Sequence, residues 1–264
     1  MAKKKPERKY KSEFKGEKRE LAETIARACR LMGKLDLTYG APGHVSYRLD
    51  GKDSMLIKGK GRDQSAVKFT TPAQIVEVDF DANTIAGGSE GLRSPSEAFL
   101  HIWMYKKNPE LKCVIHMHPR AAILLSICDK EIVPIHGIPP QGARIAVQGV
   151  PTFPTSLHIS DDAIGERFAD FMGKSKVALM RGHGVATVGS GIEEATMRTL
   201  RLNELLKLTY DAYLIGGANP LPPEDLARLS ETEDPNRPRG SAGGREGTLT
   251  EWRMWCEVTG ELEE

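Results

Sequence analysis

The run Cys113-Val114-Ile115-His116-Met117-His118-Pro119 constrains this chain more than any other stretch of it. An apolar segment ending in two histidines one residue apart reads as a strand, and residues i and i+2 of a strand point to the same face. His116 and His118 can then direct two imidazoles at one point in space, which a helix at that spacing would not do. Two neutral imidazoles converging there suit a borderline divalent cation such as Zn²⁺. A pair of satisfied core or surface histidines is the plainer alternative. Two further segments bear on the choice. Arg181-Gly182-His183-Gly184 follows the apolar run Val177–Met180, so a third histidine sits at a strand end between glycines that let backbone approach closely. Ser96-Glu97 lies upstream, opens a helical pattern and offers a carboxylate. Three histidines and a carboxylate form a metal-site inventory with a position left for substrate.

The rest of the chain bounds what such a site can belong to. Its 264 residues, 39% of them hydrophobic, can bury a core as one large domain or two small ones. Basic and acidic residues nearly cancel, 37 against 36, which argues for neither a nucleic-acid nor a membrane partner. Cys29, Cys113, Cys128 and Cys256 show no Cys-x-x-Cys spacing and two of them lie in apolar runs. Buried free thiols in a reducing compartment, hence the cytoplasm, are the expectation. No run approaches the roughly 18 apolar residues of a membrane span. Met1–Arg19 is basic but lacks the apolar stretch of a secretory signal, so a flexible, solvated arm is expected, although Lys3-Lys4-Lys5 could bind polyanions.

Periodicity predicts a helix over Arg19–Leu35, with Leu21, Ile25, Cys29 and Met32 on one face. Strands follow at Val45–Leu49 and Met55–Lys58, turned by Asp50-Gly51-Lys52-Asp53, and at Ile75–Phe80 before a hairpin at Asp81-Ala82-Asn83. Gly59-Lys60-Gly61-Arg62 is either a plain turn or a loop that cradles an anion. Ser94 can cap a helix with Pro95 at its first position and Glu97 completing a capping box, which gives Glu97 a structural alternative. His101, one turn on, reads as support for that helix. Ala121–Cys128 reads as a helix, Glu131–Gly137 and Ile145–Val150 as short strands, and His136 as a loop residue. Ser160-Asp161-Asp162 caps a helix over Ala163–Met172, and Ile192–Tyr213 forms a long one. Ala218–Thr248, rich in Pro, Gly and charge, is expected to be irregular, with Trp252 and Trp255 in a last helix that packs back on the core or on a neighbouring subunit.

Taken together, Gly43-His44-Val45-Ser46-x-Arg48, Ser94-Pro95-Ser96-Glu97-x-x-x-His101, Val114-x-His116-x-His118-Pro119 and Arg181-Gly182-His183-Gly184 resemble the class II aldolase/adducin family in order and spacing. The resemblance covers residues 20–215 as one catalytic domain, between the arm at 1–19 and an irregular tail at 216–264 that ends in a helix. It implies a three-layer α/β/α fold with a central, mostly antiparallel sheet, and a homotetramer with sites at subunit interfaces. It also implies one divalent metal per chain (Zn²⁺ or Mn²⁺, with Fe²⁺ or Co²⁺ as alternatives) held by His116, His118 and His183, and Glu97 as the matching catalytic carboxylate.

Two departures from the sugar-phosphate-cleaving members direct the functional expectation. Those members resemble Gly-Asn-x-Ser at the first motif and have paired serines before the glutamate, both used for phosphate. Here His44 and Pro95-Ser96 stand at those places. The pattern is more similar to the branch that decarboxylates hydroxylated aromatic or heteroaromatic acids and related oxo-acids. The alternatives are aldol cleavage of a small hydroxy-carbonyl substrate, phosphorylated or not, an epimerase of the same family, and a non-catalytic adducin-like scaffold. In either lyase reading, carbon–carbon cleavage leaves electrons on an enolate or phenolate oxygen, a charge that a metal with three neutral ligands stabilises. Glu97 is the candidate proton carrier, with a metal ligand in the empty site as its alternative, and His44 is a candidate proton carrier or orienting group. Arg48, Lys58, Arg62 and Ser96 are the candidate contacts for a small carboxylated substrate.

Overall fold

The computed structural model describes residues 12–62, 64–88, 91–135, 141–230 and 245–262. Five short strands come first: β1 (His44–Arg48), β2 (Ser54–Lys58), β3 (Ile75–Asp79), β4 (Thr84–Gly87) and β5 (Cys113–Met117). Three more follow, β6 (Thr152–Phe153), β7 (Val177–Met180) and β8 (Gly184–Gly189). They form one sheet in the order β4-β3-β2-β1-β5-β8-β7-β6, antiparallel throughout except where β6 runs beside β7. The helices α1 (Glu17–Lys34), α3 (Arg120–Ile127), α4 (Gln141–Gln148) and α6 (Ile192–Leu214) share one apolar core with one face of the sheet. The other face packs on α2 (Ala98–Lys107) and α5 (Asp162–Met172). This is the expected three-layer α/β/α fold with a mostly antiparallel sheet.

Side-chain alternation sorts the site residues between the two faces. On β5, Cys113, Ile115 and Met117 enter the α1 side, which leaves His116 on the α2 side. On β1, Val45 enters the α1 side, so His44, Ser46 and Arg48 share the face of His116. On β2, Leu56 lies on the α1 side and Met55 and Ile57 on the other, so Lys58 falls on the face away from His116.

Several local expectations are corrected. The helix after Pro95 begins at Ala98, with Glu97 as its N-cap and no side-chain capping bond, so the capping box does not form. Ile145–Val150 is not a strand; the helix α4 covers most of it and buries Ala143, Ile145 and Ala146 against α6, an outcome that a short apolar run cannot distinguish from a strand. No strand forms over Glu131–Ile135, and His136 lies outside the described residues. The strand β8 is not among the expected strands; a glycine stands at each of its ends. Gly184 is there because a Cβ would stand 2.2 Å from the Met117 carbonyl oxygen, where β8 pairs with β5.

The arm and tail also differ from expectation. Phe14 is buried in the α1-side core and α1 starts at Glu17, so the described end of the basic segment is part of the fold. Within the stretch expected to be irregular, α7 (Pro223–Ser230) forms where Pro223 at the first position and the acidic Glu224 and Asp225 make a favourable helix start. The last helix, α8 (Arg245–Val258), buries Trp252 and Cys256 against the core, next to α6. Cys29 and Cys113 are likewise buried free thiols, whereas Cys128 is exposed. Among the described residues, no helix is long and apolar enough to cross a membrane.

Candidate metal centre

Four residues from three separate segments meet where β5 ends, at the start of α2 and in the β7–β8 turn. One donor atom from each of Glu97, His116, His118 and His183 lies within 4.8 Å of every other. Glu97 Oε2 stands 3.4 Å from His116 Nε2, and Oε1 stands 3.5 Å from His183 Nε2. Both separations match the roughly 3.4 Å expected between two donors at ~2.1 Å from one tetrahedral ion. The nitrogens themselves are telling. His116 Nε2 and both ring nitrogens of His183 are buried without a hydrogen-bond partner. A buried donor or acceptor left unpaired is costly, and a shared cation is the partner that would satisfy Nε2 of His116 and Nε2 of His183 together. The donor set therefore fits a divalent ion.

Each imidazole is aimed by its surroundings. The Nδ1 of His116 lies 2.9 Å from the Val185 carbonyl oxygen on β8, which it meets as a donor, leaving Nε2 free. The Nδ1 of His118 lies 3.4 Å from the Thr38 hydroxyl, and the backbone N–H of His118 donates to the Leu37 carbonyl. His183 rides on a tight turn: its N–H donates to Met180 O, and Gly182, at φ 64°, occupies the left-handed region that suits glycine. The Gly182 N–H donates to Ser126 Oγ, and Arg181 grips Asp129 through two parallel bonds of 2.6 and 2.7 Å, tying that turn to α3.

Burial sets the protonation states. Removal from water, reinforced by the neighbouring His116 and His183, pushes the His118 imidazole down to about 3, so it is neutral at ordinary pH. Burial also drives His44 well below its ordinary value, with His101 and Lys58 acting in the same direction. For Glu97 burial opposes ionisation, but the imidazoles of His116 and His183 on its oxygens outweigh it and hold the carboxyl below the usual range. At rest Glu97 is a carboxylate, with the neutral rings of His44 and His118 nearby.

Beside this cluster lies a cavity of about 140 Å³ lined by Ala41, Pro42, His44, Lys60, Gln64, Ser96, Glu97 and His158. His44, which pairs across the strands with His116, and Ser96 both line it. Lys60 Nζ donates to Ser96 Oγ at 2.6 Å and brings a cation to the wall.

Three expected substrate contacts are placed elsewhere. Arg48, at the far end of β1 from His44, donates to the Tyr105 and Pro109 carbonyls and lies over the Phe80 ring at 5.3 Å. Lys58 is 1% exposed on the opposite face and donates to the Ala41 carbonyl; burial lowers its pKa. It braces the loop that lines the cavity rather than lining it. Arg62 is exposed and does not line the cavity. Lys60 and His158 are among the lining residues that escaped the sequence reading. Lys60 sits in the glycine-basic loop already singled out, but nothing local distinguishes it from Arg62. His158 is a single histidine in an irregular loop, for which no periodic signal exists. His101, read as structural, is buried with its Nδ1 2.8 Å from Ser46 Oγ.

The fold and the cluster define an enzyme class, and the comparisons agree with it. Residues 23–210 match the family model described as the class II aldolase and adducin N-terminal domain, and the chain belongs to that family. Within it the chain falls in the decarboxylase-like branch, as a lyase. It is 34% identical over 214 residues to a 3,4-dihydroxyphthalate decarboxylase from Terrabacter sp. (strain DBF63), covering 79% of this chain and 88% of that one. A 3,4-dihydroxyphthalate decarboxylase from Arthrobacter keyseri is 31% identical over 237 residues, 88% of this chain and 90% of its own. The crystal structure of an aldolase II superfamily protein from Pseudomonas syringae has the same fold, with a TM-score of 0.78 at 22% identity over 94% of both chains.

Proposed function

We propose that this chain is a divalent-metal-dependent decarboxylase of a hydroxylated aromatic acid, of the hydroxy-phthalate type that its relatives are named for. The observation that carries the reading is the adjacency of two chemistries: the Glu97, His116, His118 and His183 donors, and a cavity wall where Lys60 and Ser96 offer a cation and a hydroxyl to a carboxylate. His116, His118 and His183 would hold the ion through their Nε2 atoms, with Glu97 beside them. The donor set suits Zn²⁺ or Mn²⁺, with Fe²⁺ and Co²⁺ as alternatives. An ion there supplies Lewis-acid polarisation of adjacent substrate oxygens.

The chain's own residues account for the rest. Lys60 and Ser96 anchor a substrate carboxylate, and neutral His44 orients the ring substituents from the cavity floor. Glu97, ionised at rest, accepts the proton of a substrate hydroxyl. The electrons of the breaking carbon–carbon bond enter the ring as CO₂ leaves, and the same proton returns from Glu97 to the carbon. The cavity is smaller than the ~300 Å³ at which ligand pockets usually begin, and Tyr39, on the neighbouring loop, is 97% exposed. Both features support a homotetramer in which an adjoining subunit completes the site, and a cytoplasmic location accords with the buried free thiols. Release of CO₂ from a panel of hydroxy-benzoates, hydroxy-phthalates and pyridine dicarboxylates tests the reading. A hydroxy-aromatic acid should turn over, and efficient cleavage of a sugar phosphate would return the chain to the aldolase reading.

A further inference from the structure

Glu97 has partners on two sides. On the inner side its oxygens face Nε2 of His116 at 3.4 Å and of His183 at 3.5 Å. On the outer side His158 Nδ1 stands 3.5 Å from Oε2, and the Ile159 backbone N–H donates to Oε1 over 3.3 Å. The outer partners are consecutive residues of the loop joining β6 to α5. That loop is anchored: the Ile159 side chain is fully buried, and Asp161 caps α5 by accepting from the Ile164 N–H. His158 itself is 73% exposed, lines the substrate cavity and sets its ring 5.1 Å from that of His183. An exposed side chain with no partner would gain rotamer freedom by turning to water. This one faces the carboxylate.

We propose that His158 and the Ile159 N–H form an outer berth for the Glu97 carboxylate, in competition with the inner berth between His116 and His183. His158 is then a positioning residue that sets how readily Glu97 withdraws from the histidine cluster. The inference rests on that cluster holding the ion proposed above. With all four contacts between 3.3 and 3.5 Å, the carboxylate is committed to neither side. A small outward shift brings both outer contacts to ordinary hydrogen-bond length while the inner ones open. A neutral imidazole carrying its proton on Nδ1 suffices.

Competition fixes the sign of the test. Without His158 the carboxylate settles inward, so the protein should bind metal more tightly, whereas a residue serving only as a scaffold, or as a ligand, would weaken binding when removed. The Zn²⁺ affinity of the metal-free full chain, measured against a competing chelator, should rise about three- to tenfold in His158→Ala, the range for loss of one competing hydrogen bond. His158→Gln should behave like alanine. His158→Asn, whose amide N–H falls at the Nδ1 position, should stay near wild type. With a hydroxy-aromatic acid as substrate, kcat/KM should fall in the Ala and Gln variants and recover in Asn, and thermal melts establish that each variant is folded. Unchanged or weaker Zn²⁺ binding in His158→Ala, or failure of asparagine to restore it, overturns the proposal. If the wild type turns over no aromatic acid, the decarboxylase reading fails while the Zn²⁺ measurement still decides the berth.

Discussion

His116 and His101 are both fully buried imidazoles associated with the same face of the sheet, and each has one ring nitrogen tethered and one unpartnered. What differs is the company of the free nitrogen. For His116 it faces a carboxylate, with two more imidazoles at ring distances of 4.4 and 4.9 Å. For His101 the nearest ring is His44, edge-on at 6.0 Å, and its tether joins an interior network in which Ser46 Oγ also meets Tyr105 OH at 2.7 Å. An orphaned nitrogen alone does not make a ligand; convergence with other donors does.

The largest effect should separate the two sets directly. His116→Ala, His118→Ala or His183→Ala should lower metal affinity by more than the ~10²-fold that loss of a supporting hydrogen bond can cost. His101→Asn should keep about one ion per chain. Metal analysis of the purified variants decides it, and full occupancy in any alanine variant would move that histidine to the other set. Next, Glu97→Gln should weaken metal binding far less than the three histidine variants, because the carboxylate is shared with its outer partners, while turnover falls by ~10²-fold or more, the contribution of a positioned proton carrier. A loss of metal as large as theirs would count Glu97 as a full ligand.

A pH experiment sharpens the comparison from the other side. Burial, with the nearby His116, lowers the His101 imidazole from 6.5 to about 3. The unfolded chain therefore binds a proton that the folded chain refuses between those values, so the metal-free protein loses stability as pH falls from 6.5 toward 3. The slope from this one group is at most ~1.4 kcal/mol per pH unit, and it should flatten in His101→Asn when denaturation midpoints are compared across the range. An identical slope in that variant would assign the acid sensitivity to other groups.

The smallest effects concern two basic residues. Lys60→Ala should raise KM for a carboxylated substrate about tenfold, the worth of a charge-assisted hydrogen bond. Arg48→Lys should leave KM unchanged and cost a fraction of the stability, because its guanidinium serves the end of α2. A KM change in Arg48→Lys comparable to that of Lys60→Ala would reverse their assignments.

The features legible in the sequence are those whose geometry is local. The two-residue period of a strand puts His116 and His118 on one face whatever surrounds them, and an apolar run followed by a Gly-His-Gly turn carries His183 to a strand end. The family resemblance added the layers and the place of Glu97. Tertiary structure decided which candidates meet the cluster. Arg48 shares a face with His44 but lies four residues along β1, where the end of α2 captures it. Lys58 and Lys60 look alike in sequence, yet the pairing of β2 with β1 and β3 buries the first on the wrong face, while the bridge of Lys60 to Arg93 sets the second beside Ser96. His158 carries no pattern; it reaches Glu97 across 61 residues of sequence because α5 packs on α2, a contact determined by the burial of both helices and by no local signal.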